Sequence, residues 1–285
     1  MYTEQRIRIG LGKTSIEMSC HDREFMDRAR AAYYPFIVSR QPDFKIEVNL
    51  KNLMAASEVR QLLTSSRGYI EGNHYFTKPD LLDCFVDWGK ATVYINTEKN
   101  LFAPEVDYKC MNLLMRGIYW GIYKKVWNTS PDAYLIHGCG IVDSERGYLF
   151  TGPSGSGKTT LARLSNGKQV LNDEAVLIGK NKEEFYLSGT LFDGGVPKRC
   201  GDTVHLSAIF FLKQAMEVSL RRLDKVEVYR RFLVQIFNTS PLFERPELNS
   251  LSAQADLSCD IASRVTSYEL GFRLDNSFWE VLRNI

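Results

Sequence analysis

Two short runs near the start of the chain alternate between polar and apolar positions, Arg6-Ile7-Arg8-Ile9 and Thr14-Ser15-Ile16-Glu17-Met18, on either side of a Gly10-to-Gly12 turn. A period of two marks a half-buried strand, so the segment predicts a β-hairpin. The period then lengthens. Asp22 stands where a helix cap is needed, Phe25, Met26 and Ala29 share one helical face, and Pro35 ends the pattern. Alternation returns at Phe44-Lys45-Ile46-Glu47-Val48, and shorter strand patterns recur at Gly68 to Ile70, His74 to Thr77 and Ala91 to Ile95. From Val106 to Trp127 the apolar residues Met111, Leu114, Met115, Ile118, Ile122 and Val126 follow helical spacing, with Lys124 and Lys125 in the last turn, where cations suit the helix dipole. Asn128-Thr129-Ser130-Pro131-Asp132 interrupts that helix. It predicts a boundary between a small mixed α/β N-terminal domain, 1–128, and a second domain, 129–285.

In the second part, Ala133 to Ile136, Gly140 to Asp143 and Gly147 to Phe150 predict three short strands, the last two joined by a turn at Ser144 to Gly147. Further strands are expected at Ala175 to Ile178, Ala208 to Leu212 and Val265 to Leu274. Helices are expected at Lys225 to Phe237 and near Leu248 to Arg264, with a terminal helix capped by Asn276 or Ser277. Strands alternating with helices indicate an α/β fold.

Composition narrows the partners. With 36 basic against 34 acidic residues the net charge is +2, so there is no excess field for nucleic acid or an acidic membrane, and neither is expected as a partner. The six cysteines, Cys20, Cys84, Cys110, Cys139, Cys200 and Cys259, show no CxxC or other metal-ligand spacing, and MYTEQRIRIG lacks an apolar signal-peptide core. Reduced thiols in a soluble, cytoplasmic protein are the expectation.

The chemistry concentrates in TGPSGSGKTTLARL, Thr151 to Leu164. An apolar strand runs into Gly152-Pro153-Ser154-Gly155-Ser156-Gly157-Lys158-Thr159, and a helix opens after it, which is the setting of a phosphate-binding loop. Glycines let backbone N–H groups converge on phosphate oxygens, Lys158 is placed for the β and γ phosphates, and the Thr159 hydroxyl for magnesium, with Thr160 next in the helix. The expected cofactors are ATP and Mg²⁺. An apolar approach, Val170-Leu171-Asn172, then delivers Asp173 and Glu174. One carboxylate can serve the metal while the other accepts the proton of an incoming hydroxyl. Only one short helix fits between Lys158 and Asp173, and no Asn-Lys-x-Asp occurs, which weighs against motor and GTPase readings.

With LIHGCG, YLFTGPSGSGKTT and VLNDEAVL in view, followed by YLSGTLFDGG and HLSAIFFLKQ, residues 133 to 240 resemble the catalytic domain of the HPr kinase/phosphorylase family, whose nucleotide site is related to that of phosphoenolpyruvate carboxykinase. The resemblance implies a P-loop kinase domain of that type, preceded by an unrelated small domain. It implies that Gly152, Ser154, Gly155, Ser156, Gly157, Lys158, Thr159 and Thr160 hold nucleotide, that Thr159 and Asp173 serve the metal, that Glu174 stands where the family's general base activates a serine hydroxyl, and that His137 lies beside the phosphates. The bifunctional members carry Ser-Glu after the loop lysine and two aspartates in the acidic pair, where this chain has Thr159-Thr160 and Asp173-Glu174. A kinase is therefore expected in preference to a reversible phosphorylase.

The resulting expectation is a P-loop phosphotransferase acting on a hydroxyl, serine of a protein or peptide, with homo-oligomerisation left open. A small-molecule kinase and a nucleotide-binding regulator with little turnover are the alternatives. Arg163, Lys198 and Arg199 are secondary candidates for stabilising phosphoryl charge, and Thr190, Asp193, Gly194 and Gly195 for shaping an acceptor pocket.

Overall fold

The computed structural model describes residues 5–12, 14–65, 67–71, 74–78, 81–87, 89–102, 133–182, 184–192, 194–196, 200–239, 248–283 and 285. The helix expected over 106–127 lies outside these, as do Asp193, Lys198 and Arg199. The chain is mixed α/β and divides into two units, one built on the residues before 131 and the other on Pro131–Thr190, Gly194–Pro241 and Arg245–Ile285.

In the first unit the alternating runs pair as an antiparallel hairpin of β1 (Gln5–Leu11) and β2 (Thr14–Cys20), with Ile9 opposite Ile16. Helix α1 (Arg23–Tyr33) follows, its first turn capped by the Asp22 carboxylate, which accepts the Phe25 N–H at 2.9 Å. It buries Phe25, Met26 and Ala29, as the spacing predicts, and Tyr33 besides. It leads to β3 (Phe44–Lys51), parallel to β2. Helix α2 (Ala56–Ser65) then precedes β4 (Arg67–Glu71), β5 (His74–Lys78), β6 (Leu82–Asp87) and β7 (Thr92–Glu98). The sheet order is β1-β2-β3-β7-β6-β5-β4.

The second unit is organised by two long strands, β8 (Ala133–Asp143) and β13 (Thr203–Gln214). Around them run β9 (Arg146–Thr151), β10 (Gln169–Asn172), β11 (Ala175–Asn181), β12 (Glu184–Ser188), β14 (Ser219–Arg222) and β15 (Ser267–Phe272). The pairing runs β10-β8-β11-β12-β13-β15-β14, and β9 bridges β8 and β13.

Two strands expected at 133–136 and 140–143 are thus one. Gly138 and Gly140 do not break it; they make room. A Cβ on Gly138 would lie 2.7 Å from Leu149 Cδ1, and one on Gly140 would lie 3.0 Å from Val176 Cγ1. A strand glycine here marks close packing instead of a turn.

Both faces of the sheet are covered. Leu149, Ile209 and Phe211 pack with Phe232, Leu257 and Ile261 of α4 (Lys225–Thr239) and α5 (Leu248–Arg264). On the other face Tyr148, Phe150, Ala208 and Phe210 pack with Leu161 and Ala162 of α3 (Lys158–Leu164) and with Phe278 and Trp279 of α6 (Phe278–Leu282). Burial on both faces explains why Ala208 to Leu212 reads as an unbroken apolar run and not as an alternation. Ser277 occupies the cap position of α6 but makes no side-chain cap bond, because its hydroxyl and amide are both turned to Asp275. No helix among the described residues is long and apolar enough to cross a membrane.

Candidate active site

The strand register alone assembles the site. On one side of β8, Gly138 pairs with Thr151, the residue immediately before the glycine-rich loop. On its other side Asn172 pairs with Gly140 and Ala175 with His137, so Asp173 and Glu174 stand opposite Cys139 and Gly138. Loop and acidic pair therefore flank one point of β8, two strand spacings or about 10 Å apart, with His137 between them. Strands β9, β13 and β15 are parallel, so the loop also leaves the sheet at the carboxyl edge where β13 and β15 end, Gln214 being in register with Phe272. Crevices outside the carboxyl ends of such strands are where open α/β sheets take ligands.

The loop backbone is shaped by its glycines and held from that edge. Gly155 and Gly157 have φ of 78° and 104°, in the region that favours glycine. A Cβ on Gly157 would lie 2.6 Å from the buried Phe272 ring. Gln214 Nε2 donates to Gly155 O at 2.8 Å. Gly157→Ala is therefore expected to cost roughly 2–4 kcal/mol, combining a left-handed backbone with an overpacked contact. Urea unfolding checks this, and a loss below about 1 kcal/mol would show that the loop gives way easily.

Lys158 is the unusual charge. It is 6% exposed, donates to Gly152 O at 2.9 Å and Pro153 O at 3.1 Å, and among the described residues has no carboxylate in ion-pair contact. Burial lowers its pKa, against the opposing pull of Glu174 and Cys139. Beside it the Ser156 hydroxyl is buried with no hydrogen-bond partner among the described residues. A desolvated ammonium and an unsatisfied hydroxyl on one glycine-rich loop fit a polyphosphate, whose oxygens would satisfy both. Ser154 is exposed at the loop's outer turn, and Thr159 and Thr160 are half-buried in the first turn of α3.

Asp173 is 2% exposed, and its carboxylate accepts from two backbone amides, Gly195 N at 2.9 Å and Val196 N at 3.3 Å. The turn presses so close that a Cβ on Gly194 would lie 2.1 Å from Asp173 Oδ1. One on Gly195 would be 2.5 Å from Thr159 Cγ2 and 3.5 Å from Asp173 Oδ2, which places Thr159 and Asp173 against the same backbone. Arg163 closes the turn by donating to Gly195 O at 2.9 Å, and is thereby committed to structure. Thr190, expected in an acceptor pocket, is fully buried.

No group of three or more His, Cys, Asp or Glu gathers as a metal site among the described residues. Magnesium does not require one, since it commonly binds one or two carboxylates, substrate phosphates and water. Thr159 and Asp173, packed against the same Gly195 backbone, are the residues here that would supply such oxygens.

Glu174 differs from its neighbour in having an exposed side chain. Its backbone is tied instead. Its N–H donates to Asn172 Oδ1 at 2.8 Å, and its carbonyl accepts from Gly138 N at 3.3 Å and from His137 Nδ1 at 2.8 Å. A carbonyl only accepts, so the His137 proton sits on Nδ1 and the lone pair on Nε2. Burial lowers the His137 pKa, the Lys158 charge lowers it further, and Glu174 opposes both. A histidine that resists protonation when folded contributes stability present above its ordinary value of 6.5 and lost as pH falls below it. The melting temperature of the wild type is therefore expected to fall relative to His137→Gln as pH drops from 7.5 to about 5.5. A constant difference across that range would show that His137 protonates as easily folded as unfolded.

A cleft of about 390 Å³ also borders the loop, lined by Gly152, Pro153, Phe211, Leu212, Arg230 and Val234 among others. It lies on the β13 side of β9, whereas Glu174 lies beyond β8 on the opposite side. It is therefore not where Glu174 would meet an acceptor.

The residues singled out in the sequence, His137, Gly152 to Thr160, Asp173 and Glu174, thus converge on one point of the second unit. Not foreseen from the sequence are Asn172 as a hydrogen-bonding group, the amides of Gly195 and Val196, and Gln214 and Phe272. Only the Asp-Gly-Gly turn carried any local signal. No family model matches the chain, and neither does any curated protein sequence. Among solved structures, the HPr(Ser) kinase/phosphatase from Coxiella burnetii aligns at 16% identity and a TM-score of 0.29, over 53% of this chain and 94% of that one.

Proposed function

We propose that the second unit is an ATP- and magnesium-dependent kinase that transfers the γ-phosphoryl group to a hydroxyl, with serine of a protein or peptide as the acceptor. The observation that carries this reading is Lys158, a buried ammonium without an ion-pair partner among the described residues, on a glycine-rich loop that faces an acidic pair across a single strand. Buried charges are costly unless something compensates them, and a phosphate chain is the compensation this loop is shaped to receive.

The two carboxylates separate by environment. Asp173, buried and held by two amides, is suited to a fixed role at the metal. Bound magnesium would neutralise charge on the phosphates, with Thr159 and Asp173 as the residues that hold it. Glu174, whose exposed side chain rises from a rigid backbone, is the group suited to take the proton of the attacking hydroxyl. Lys158 and the loop amides hold the phosphoryl group in position, and His137 presents Nε2 as an acceptor beside them. Catalysis on this account is positioning and charge neutralisation.

The test is incubation of the protein with γ-labelled ATP, magnesium and a size-fractionated cell extract. Label in the macromolecular fraction supports a protein acceptor, and label in the small-molecule fraction supports a metabolite kinase. Nucleotide binding without transfer to either fraction would replace the kinase by a regulatory nucleotide-binding protein.

A further inference from the structure

Asn172 is 1% exposed, yet it stands at the end of an apolar strand where a hydrocarbon side chain would serve packing as well. Its amide makes at least three hydrogen bonds. Oδ1 accepts from Glu174 N at 2.8 Å and Ala175 N at 3.1 Å, and Nδ2 donates to Thr190 O at 3.0 Å. The first two bonds form an Asx turn that bends the chain between β10 and β11 at the acidic pair. The third ties that turn to the buried Gly189-Thr190 segment, whose Thr190 hydroxyl bonds back to Ala175 O. The Glu174 peptide is thus gripped at its N–H by Asn172 while its carbonyl accepts from Gly138 N and His137 Nδ1.

We infer that Asn172 is a positioning residue for the acidic pair: it fixes the Glu174 backbone and, through the Glu174 carbonyl, holds His137 in the tautomer that leaves Nε2 as the acceptor. The physical reason is geometric. Glu174 has an exposed side chain with no hydrogen-bond partner of its own among the described residues, so its backbone alone decides where its carboxylate starts from. A peptide shift of about 1 Å is enough to cost on the order of 10²-fold in rate when a base must meet a hydroxyl in line. The same shift would move the carbonyl that selects the His137 tautomer.

The rate consequence rests on the kinase reading; the tautomer consequence does not. The protein is labelled with ¹⁵N at its four histidines, His137 being assigned by its absence in His137→Gln, and the ring nitrogen shifts are recorded for wild type, Asn172→Ala and Asn172→Ser. The wild type is expected to show His137 as the Nδ1-protonated form. Asn172→Ala is expected to show a mixture of tautomers, and Asn172→Ser an intermediate pattern, because a serine hydroxyl makes the same turn more weakly. In the transfer assay, kcat is expected to fall about 10²-fold in Asn172→Ala and less in Asn172→Ser, with KM for ATP within twofold of wild type in both. Unchanged His137 shifts in Asn172→Ser, or in Asn172→Ala where it folds, overturn the inference, as does a kcat within threefold of wild type. A wild type that binds ATP but transfers nothing sinks the kinase reading, and the histidine spectra then decide the role of Asn172 alone.

Discussion

Replacing Lys158 by alanine is expected to reduce phosphoryl transfer by about 10³-fold while leaving the melting temperature within a few degrees of wild type. The expectation separates function from fold because of how Lys158 is held. Its ammonium donates to two carbonyls of its own loop, Gly152 O and Pro153 O, and makes no ion pair among the described residues. Alanine forfeits those two bonds but also removes a charge that burial disfavours, the burial that lowers its pKa, so the two effects on stability offset one another. The phosphates have no such substitute, because the buried cation beside them is gone. Transfer measured with γ-labelled ATP, alongside thermal unfolding of both proteins, checks the pair of outcomes. Activity close to wild type would remove Lys158 from the site, and a large fall in melting temperature would make it a structural residue.

Glu174→Gln is expected to keep Mg-ATP binding within about twofold and to lose 10²- to 10⁴-fold in turnover, the range that a general base contributes. The substitution keeps the shape of the side chain and leaves the backbone untouched. The bonds that Glu174 makes to Asn172, Gly138 and His137 all run through its main chain, so the site should remain assembled. Asp173→Asn supplies the contrast. An amide at that position would turn its NH₂ toward one of the two backbone donors that now reach the carboxylate, Gly195 N or Val196 N, so loss of magnesium dependence and local distortion should come together. Isothermal titration with Mg-ATP and steady-state turnover distinguish the cases. Loss of nucleotide affinity in Glu174→Gln would transfer the metal role to Glu174.

What the sequence reveals about this fold depends on whether the deciding contacts are local. The β1–β2 hairpin, the Asp22 cap and the apolar face of α1 follow from neighbours a few residues apart, and all are read correctly. β14 is Ser219-Leu220-Arg221-Arg222, with no alternation to mark it; it is a strand because it pairs with β15. β12, with Phe185 and Leu187 buried in five residues, is too short to stand out beside its turns. The split predicted within β8 fails for the opposite reason. Its glycines look like breaks, and only the Leu149 and Val176 side chains pressed against them show that they are packing sites.

The candidate site divides in the same way. The glycine-rich loop and the acidic pair are each a continuous string and are legible as such. Their convergence needs the register of β8 with β9, β10 and β11, which no local pattern carries. The amides that hold Asp173 come from 22 and 23 residues away, and the side chain that supports Gly155 comes from 59 residues away. Asn172 was visible in the string but not its work, since an asparagine before two acids reads equally well as an ordinary polar turn.

Phosphoryl transfer itself is tested by a rapid-quench experiment on wild-type protein with γ-labelled Mg-ATP and the acceptor fraction, counting ADP formed and label transferred in the same samples. Equal amounts of ADP and labelled acceptor are expected in the first turnover, both lost on chelation of magnesium. ADP accompanied only by free labelled phosphate, or bound ATP that is never cleaved, would contradict phosphoryl transfer to an acceptor.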